Sequence, residues 1–270
     1  MLIAEITMMN RTNVHVQVTD FGRLAADLDA LTGAAQDALW RAAGEVLRER
    51  TYRTDDGAVR VRVDWSAMAQ RDDEETLQLD FEVVDERARA ERRDVPSFTA
   101  LFLHDAFLLL NLAVPGSMSG TFVTLSADEH RSSEITLSAR LFEYGARRIG
   151  VLPLRDVVRW YDGLALGASQ IALGGAAKAL FHLLHLARRE EDEAASIVHL
   201  GHALIALDVP LEERFAELHR EHTTGIAPLF HPLADDALDA RIDELSMEWT
   251  EAADRAAATL VGALQARIKA

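Results

Sequence analysis

Three His-x-x-His pairs, His182/His185, His199/His202 and His219/His222, precede His231, and together they hold seven of the ten histidines of the chain. Spacing of three sets both rings of a pair on one helix face. Imidazole is the side chain most readily switched between acid, base and ligand roles near neutral pH. A metal site in a helical bundle normally adds carboxylates to the imidazoles. Around His182 and His185 the neighbours are Phe181, Leu183, Leu184 and Leu186, and around His199 and His202 they are Val, Leu, Gly and Ala. The first two pairs are therefore expected to line helix–helix contacts, and no metal or other cofactor is expected.

The third pair has different company. In Arg214-Phe215-Ala216-Glu217-Leu218-His219 an arginine precedes a histidine by five positions, with Arg220, Glu221 and His222 following. Guanidinium and imidazole together suffice for metal-free RNA cleavage. The imidazole takes the 2′-OH proton as general base, and the guanidinium holds the phosphate and its developing charge. Arg214, His219 and His222 are the candidate catalytic residues.

Other chemistries have less to work with. The chain has no Cys, which excludes disulfides, thiolate metal sites and cysteine nucleophiles. No Gly-x-Ser-x-Gly elbow occurs: Ser117-Met118-Ser119-Gly120 reads as a turn. Gly174-Gly175 reads as close helix packing and Asp235, Asp236, Asp239, Asp243 and Glu244 as a solvated helix start. The net charge is −16, about −8 on each side of residue 150, so the chain lacks the basic footprint of a duplex or anionic-membrane binder and RNA is disfavoured as a partner. A local cluster of arginines could still hold one phosphate.

The elements that must position these residues fall into two groups. Residues 1–150 read as an α+β domain. Asn13 to Val18, Ala58 to Trp65 and Leu77 to Val83 alternate apolar and polar residues, as do 121–126 and 134–142. The Ala58 and Leu77 segments are expected to pair antiparallel. Helices are expected over 24–50 and 98–112, the second capped by Ser97. The outcome is an antiparallel sheet of four or five strands with helices on one face.

Residues 151–270 read as a bundle of four or five helices. They span 155–189 (one helix, or two joined near Gly163–Gly167), 193–207, 211–221 and 246–268, with Asp208-Val209-Pro210 as a break. Hydrophobic residues make up 49% of the chain, ample for a core. The most apolar stretch, Ala165 to Ala187, is interrupted by Ser169, Gln170, Lys178, His182 and His185, which suits a buried helix better than a membrane span. Met1-Leu2-Ile3-Ala4-Glu5 opens no secretory signal, and a cytoplasmic location is expected.

A late Arg-x4-His on a helix of an all-α bundle, with Gly225 in the turn beyond it, resembles the HEPN superfamily over roughly residues 154–268. That resemblance implies a dimerising bundle, a metal-independent ribonuclease and a prokaryotic defence or toxin-like system, with Arg214 on phosphate and His219 as base. The N-terminal half would then sense or dock a protein partner. The bundle helices carry more apolar face than a lone four-helix unit needs, which points to a homo-oligomer. The alternative expectation is a non-catalytic interaction or scaffold protein that keeps the bundle for assembly.

Overall fold

The structure is a computed structural model and describes residues 10–19, 33–65, 76–87, 95–114, 122–127, 131–136, 151–164, 175–187, 193–224 and 235–270. Its fold is α+β, with an antiparallel sheet and a helical C-terminal region. The strands are β1 (Asn10–Thr19), β2 (Glu49–Thr54), β3 (Gly57–Val63), β4 (Thr76–Asp85), β5 (Phe122–Ala127) and β6 (Arg131–Thr136). They form one six-stranded sheet in the order β2-β3-β4-β1-β5-β6, every neighbouring pair antiparallel.

The expected pairing of β3 with β4 is present, with Val61 opposite Val83 and Val63 opposite Phe81. Alternation explains the register. Val14 and Val16 of β1, Val59, Val61 and Val63 of β3, and Leu79, Phe81 and Val83 of β4 all turn to the buried face. A slip of one residue would carry each set to the outer face.

The sheet has six strands where four or five were expected, and two further expectations for the first half are corrected. The helix expected over 24–50 is α1 (Gly33–Val46) where it is described, and residues 49–50 already belong to β2. The Asp55-Asp56-Gly57 turn closes a β2–β3 hairpin, with Thr54 opposite Gly57. Gly57 has φ +150, and a Cβ there would come 2.8 Å from the Arg87 backbone, so the turn requires glycine. The second helix, α2 (Val95–Ala113), begins two residues before Ser97. Ser97 therefore lies inside the first turn and is not the N-cap, while Pro96 occupies that first turn, where a missing N–H costs nothing.

Fourteen of the nineteen residues of α2 are buried. It is long and apolar enough to cross a membrane by length and composition, and most of that stretch is buried inside the protein. One side of α2 meets β1, β3, β4 and β5. The other meets α3 (Leu154–Gly163), α4 (Gly175–Ala187) and α7 (Asp235–Lys269). The boundary expected at residue 150 lies outside the described residues. Side chains before and after it join one hydrophobic cluster, from Val14 to Leu264. The apolar surplus of the late helices is thus met in part by α2 of the same chain.

Five helices follow residue 153, completed by α5 (Glu193–Ala206) and α6 (Glu213–Thr224), and no strand occurs there among the described residues. The stretch 155–189 is two helices, as one of its two expected forms had it. Asp208, with φ 57, ends α5 just before Pro210. α7 runs unbroken for 35 residues from Asp235, starting eleven residues earlier than its apolar stripe suggests. α5 packs against α4, α6 and α7, and that packing positions the histidines.

Candidate functional site

Members of the three His-x-x-His pairs meet across α4, α5 and α6. Nδ1 of His182 on α4 lies 3.1 Å from Nδ1 of His199 on α5. The His182 ring is also 5.2 Å from that of His202, centre to centre. His202 in turn meets His219 of α6 edge-on at 5.1 Å. Four imidazoles therefore form a continuous string over three helices. His222 extends the α6 face toward α7, with its ring edge-on to Trp249 at 4.9 Å. The side chain of His185 and all of His231 lie outside the described residues.

The string follows from local sequence. His199 and His202 share the α5 face that runs between α4 and α6, and Gly201 between them removes bulk where α6 approaches. The His219 ring occupies that space: a Cβ on Gly201 would come 2.1 Å from its Cδ2. His219 is 9% exposed and its Nε2 has no hydrogen-bond partner, nor does the buried Nε2 of His222. Burial pushes the His219 imidazole below its ordinary pKa, helped by nearby His202 and opposed by a hydrogen bond to the Val198 backbone. Among the described residues no three His, Asp or Glu side chains are grouped to hold a metal ion.

Arg214 and His219 are both on α6 and do not come together. Five residues of helix separate them by about 140° around the axis. Arg214 Nη1 is 2.8 Å from Glu217 Oε2, and its Nε is 2.5 Å from Glu248 Oε1 on α7. Hydrogen bonds to Glu248 and Glu217 raise its pKa further. His219 turns instead toward Gly201 and His202 of α5. A general base needs reach to a hydroxyl, and a phosphate clamp needs uncommitted N–H groups. In this geometry the base is covered and the clamp is engaged by two carboxylates. His222 shares the His219 side of the helix but rests on Trp249.

A second polar cluster was not anticipated. Asp105, in the middle of α2, is 4% exposed. Tyr52 of β2 and Tyr161 of α3 donate hydrogen bonds to its carboxylate at 3.0 and 2.8 Å. Arg50 Nε lies 3.4 Å away, its Nη2 donates to Asp162 at 2.7 Å, and its guanidinium lies over the Tyr161 ring. Burial first, and then the Asp105 charge, push both tyrosine pKa values well above the ordinary value. The signal was available in the sequence: a lone Asp in an apolar helix must find buried partners. The cluster ties the sheet edge to α2 and α3, a structural joint with its hydrogen bonds satisfied.

No protein-family model, curated protein or solved structure matches the chain.

Proposed function

We propose that the protein is a non-catalytic interaction protein, whose helical half is built like a HEPN bundle and serves assembly rather than RNA cleavage. The observation that carries this reading is the divergence of Arg214 and His219: one is paired with Glu217 and Glu248, the other is buried against Gly201 and His202. The chain charge of −16 supports it from the side of the substrate, since an RNA backbone would be repelled. The setting in a prokaryotic defence or toxin-like system comes from the HEPN resemblance alone, whereas the homo-oligomer rests on that resemblance and on the apolar faces of the late helices.

The test is RNA cleavage in the presence of EDTA by wild type, Arg214→Gln and Arg214→Ala/His219→Ala. Arg214 is 41% exposed, so the single variant leaves the fold intact. No cleavage by any of the three, and equal effect on cell growth, is the expected result. Metal-independent cleavage by wild type that Arg214→Gln abolishes would restore the ribonuclease. Light scattering on the eluted full-length protein measures self-association.

A further inference from the structure

β2 ends the six-stranded sheet, and its side chains alternate between exposed and half-buried along its whole length. Two sets of hydrogen bonds fix which of its backbone groups turn outward. Val63 donates its N–H to the Arg48 carbonyl at 3.0 Å. The register then runs from Glu49 opposite Arg62 to Thr54 opposite Gly57 with no bulge, so Arg50, Tyr52 and Thr54 turn their N–H and C=O groups to β3. Across β3, Glu86 donates to the Ala58 carbonyl and Asp64 to the Asp80 carbonyl. Ala58, Arg60 and Arg62 therefore face β4, which leaves Val59, Val61 and Val63 to face β2, in agreement. Glu49, Thr51 and Arg53 thus aim their N–H and C=O groups away from the sheet, and among the described residues no backbone bond reaches them. Such an edge is a template for a further strand.

The charges on this edge suit a second copy of itself. β2 has no Pro, and its exposed side chains are Glu49, Thr51 and Arg53, a negative and a positive charge placed symmetrically about a threonine. In an antiparallel pairing centred on Thr51, Glu49 of each copy lies opposite Arg53 of the other, and Thr51 opposite Thr51. That register makes all three outward-turned residues hydrogen-bonded pairs. Centring on Arg50 would set Arg50 against Arg50 and leave Arg53 unpaired, and centring on Tyr52 would leave Glu49 unpaired. Arg53 forms no ion pair within its own chain among the described residues. Glu49 already receives Arg62 at Oε2, with Arg60 Nε 3.9 Å from Oε1, and a carboxylate has lone pairs for a further donor. On the inner face Arg50 and Tyr52 are held by Asp162 and Asp105, so the strand is ordered before any partner arrives. We propose that two copies of the chain pair β2 to β2 about a two-fold axis through Thr51, joining their sheets edge to edge with Arg53 of each copy on Glu49 of the other. The inference rests on the self-association proposed above and names for it an interface in the sheet half, apart from the helices.

The chain has no Cys, so a single introduced thiol reads the register. Thr51→Cys sets two thiols across the axis with Cα atoms about 5.5 Å apart, within disulfide range. Mild oxidation of the full chain is expected to give a covalent dimer that a reductant reverses. Arg53→Cys is the control, since its two copies lie roughly 14 Å apart at about 3.4 Å per residue and should stay uncoupled. Sedimentation velocity over a concentration series is expected to show a wild-type dimer. Arg53→Glu sets like charges opposite each other and should raise the dissociation constant about tenfold or more. Thr51→Pro removes an N–H that β3 does not use and should abolish the dimer. Arg53→Glu, a change at an exposed side chain with circular dichroism as the check, keeps the test valid if Thr51→Pro misfolds. A dimer that Arg53→Glu leaves unchanged, or a Thr51→Cys protein that couples no faster than Arg53→Cys, overturns this interface and leaves assembly to the helices. A wild type that stays monomeric overturns both this interface and the self-association.

Discussion

The imidazole of His219 sits where a side chain at residue 201 would be: a Cβ built on Gly201 approaches Cδ2, Nε2 and Cγ of that ring at 2.1, 2.5 and 2.6 Å. All three atoms belong to one rigid, buried ring, so the clash cannot be relieved by swinging a flexible chain end. Glycine in a helix interior normally costs about 0.5–1 kcal/mol relative to alanine. Here overpacking, about 1–3 kcal/mol, outweighs that gain. Gly201→Ala is expected to lower the melting temperature, by about 2–4 °C per kcal/mol lost. Gly201→Ala/His219→Ala should recover part of the loss, because the ring that clashes is gone. A single variant that melts higher than wild type would contradict the α5–α6 packing.

Acid should weaken the helical half through the same ring. His219 has its pKa lowered from 6.5 in the folded state, chiefly by burial, so the unfolded chain binds the proton more readily. Its contribution to stability is therefore complete above about pH 6.5 and is lost as the pH falls below that value. Thermal melts at pH 7.5 and 5.5 are expected to show a drop in wild type and a smaller one in His219→Gln. An equal drop in both would remove His219 as the source.

Asp105 should be the least replaceable polar residue of the fold. Asp105→Ala leaves the Arg50 charge and the Tyr52 and Tyr161 hydroxyls without their shared partner, a loss on the order of 3–5 kcal/mol. Tyr161→Phe removes one donor and should cost about 1–3 kcal/mol. By contrast Arg214→Ala breaks two partly exposed ion pairs and should cost under about 1 kcal/mol. Urea denaturation of the three variants gives the order directly. A Tyr161→Phe protein as stable as wild type would show that the Asp105 cluster does not hold α3 in place.

These contrasts mirror what the sequence discloses. β1, β3 and β4 announce themselves because valines and leucines alternate where one face is buried. β2 is hidden because it is an edge strand with no fully buried residue, so it lacks apolar alternation. The His-x-x-His spacing sets the rings of His182, His199 and His202 on helix–helix contacts, as expected. It says nothing of which helices meet, and the string from His182 to His219 depends on that tertiary choice. Arg214 and His219 lie only five letters apart yet turn apart on α6, for a helix spacing of five points two side chains different ways.

Cooperativity of unfolding tests how the two halves are joined. α2 presents one side to the sheet and the other to α3, α4 and α7, and Gln265 of α7 donates a hydrogen bond at 2.8 Å to the Leu112 carbonyl near the end of α2. Leu152 closes a further link by donating its N–H to the Ala113 carbonyl at 2.7 Å. Removing either half would expose a largely buried apolar helix face, a cost that grows by about 25 cal/mol per Å². Calorimetry of the full chain is therefore expected to give one transition, with the calorimetric and van't Hoff enthalpies equal. Gln265→Leu should lower that transition without splitting it. Two resolved transitions, one of them unmoved by Gln265→Leu, would mean that the sheet and the bundle are independent units that merely touch through α2.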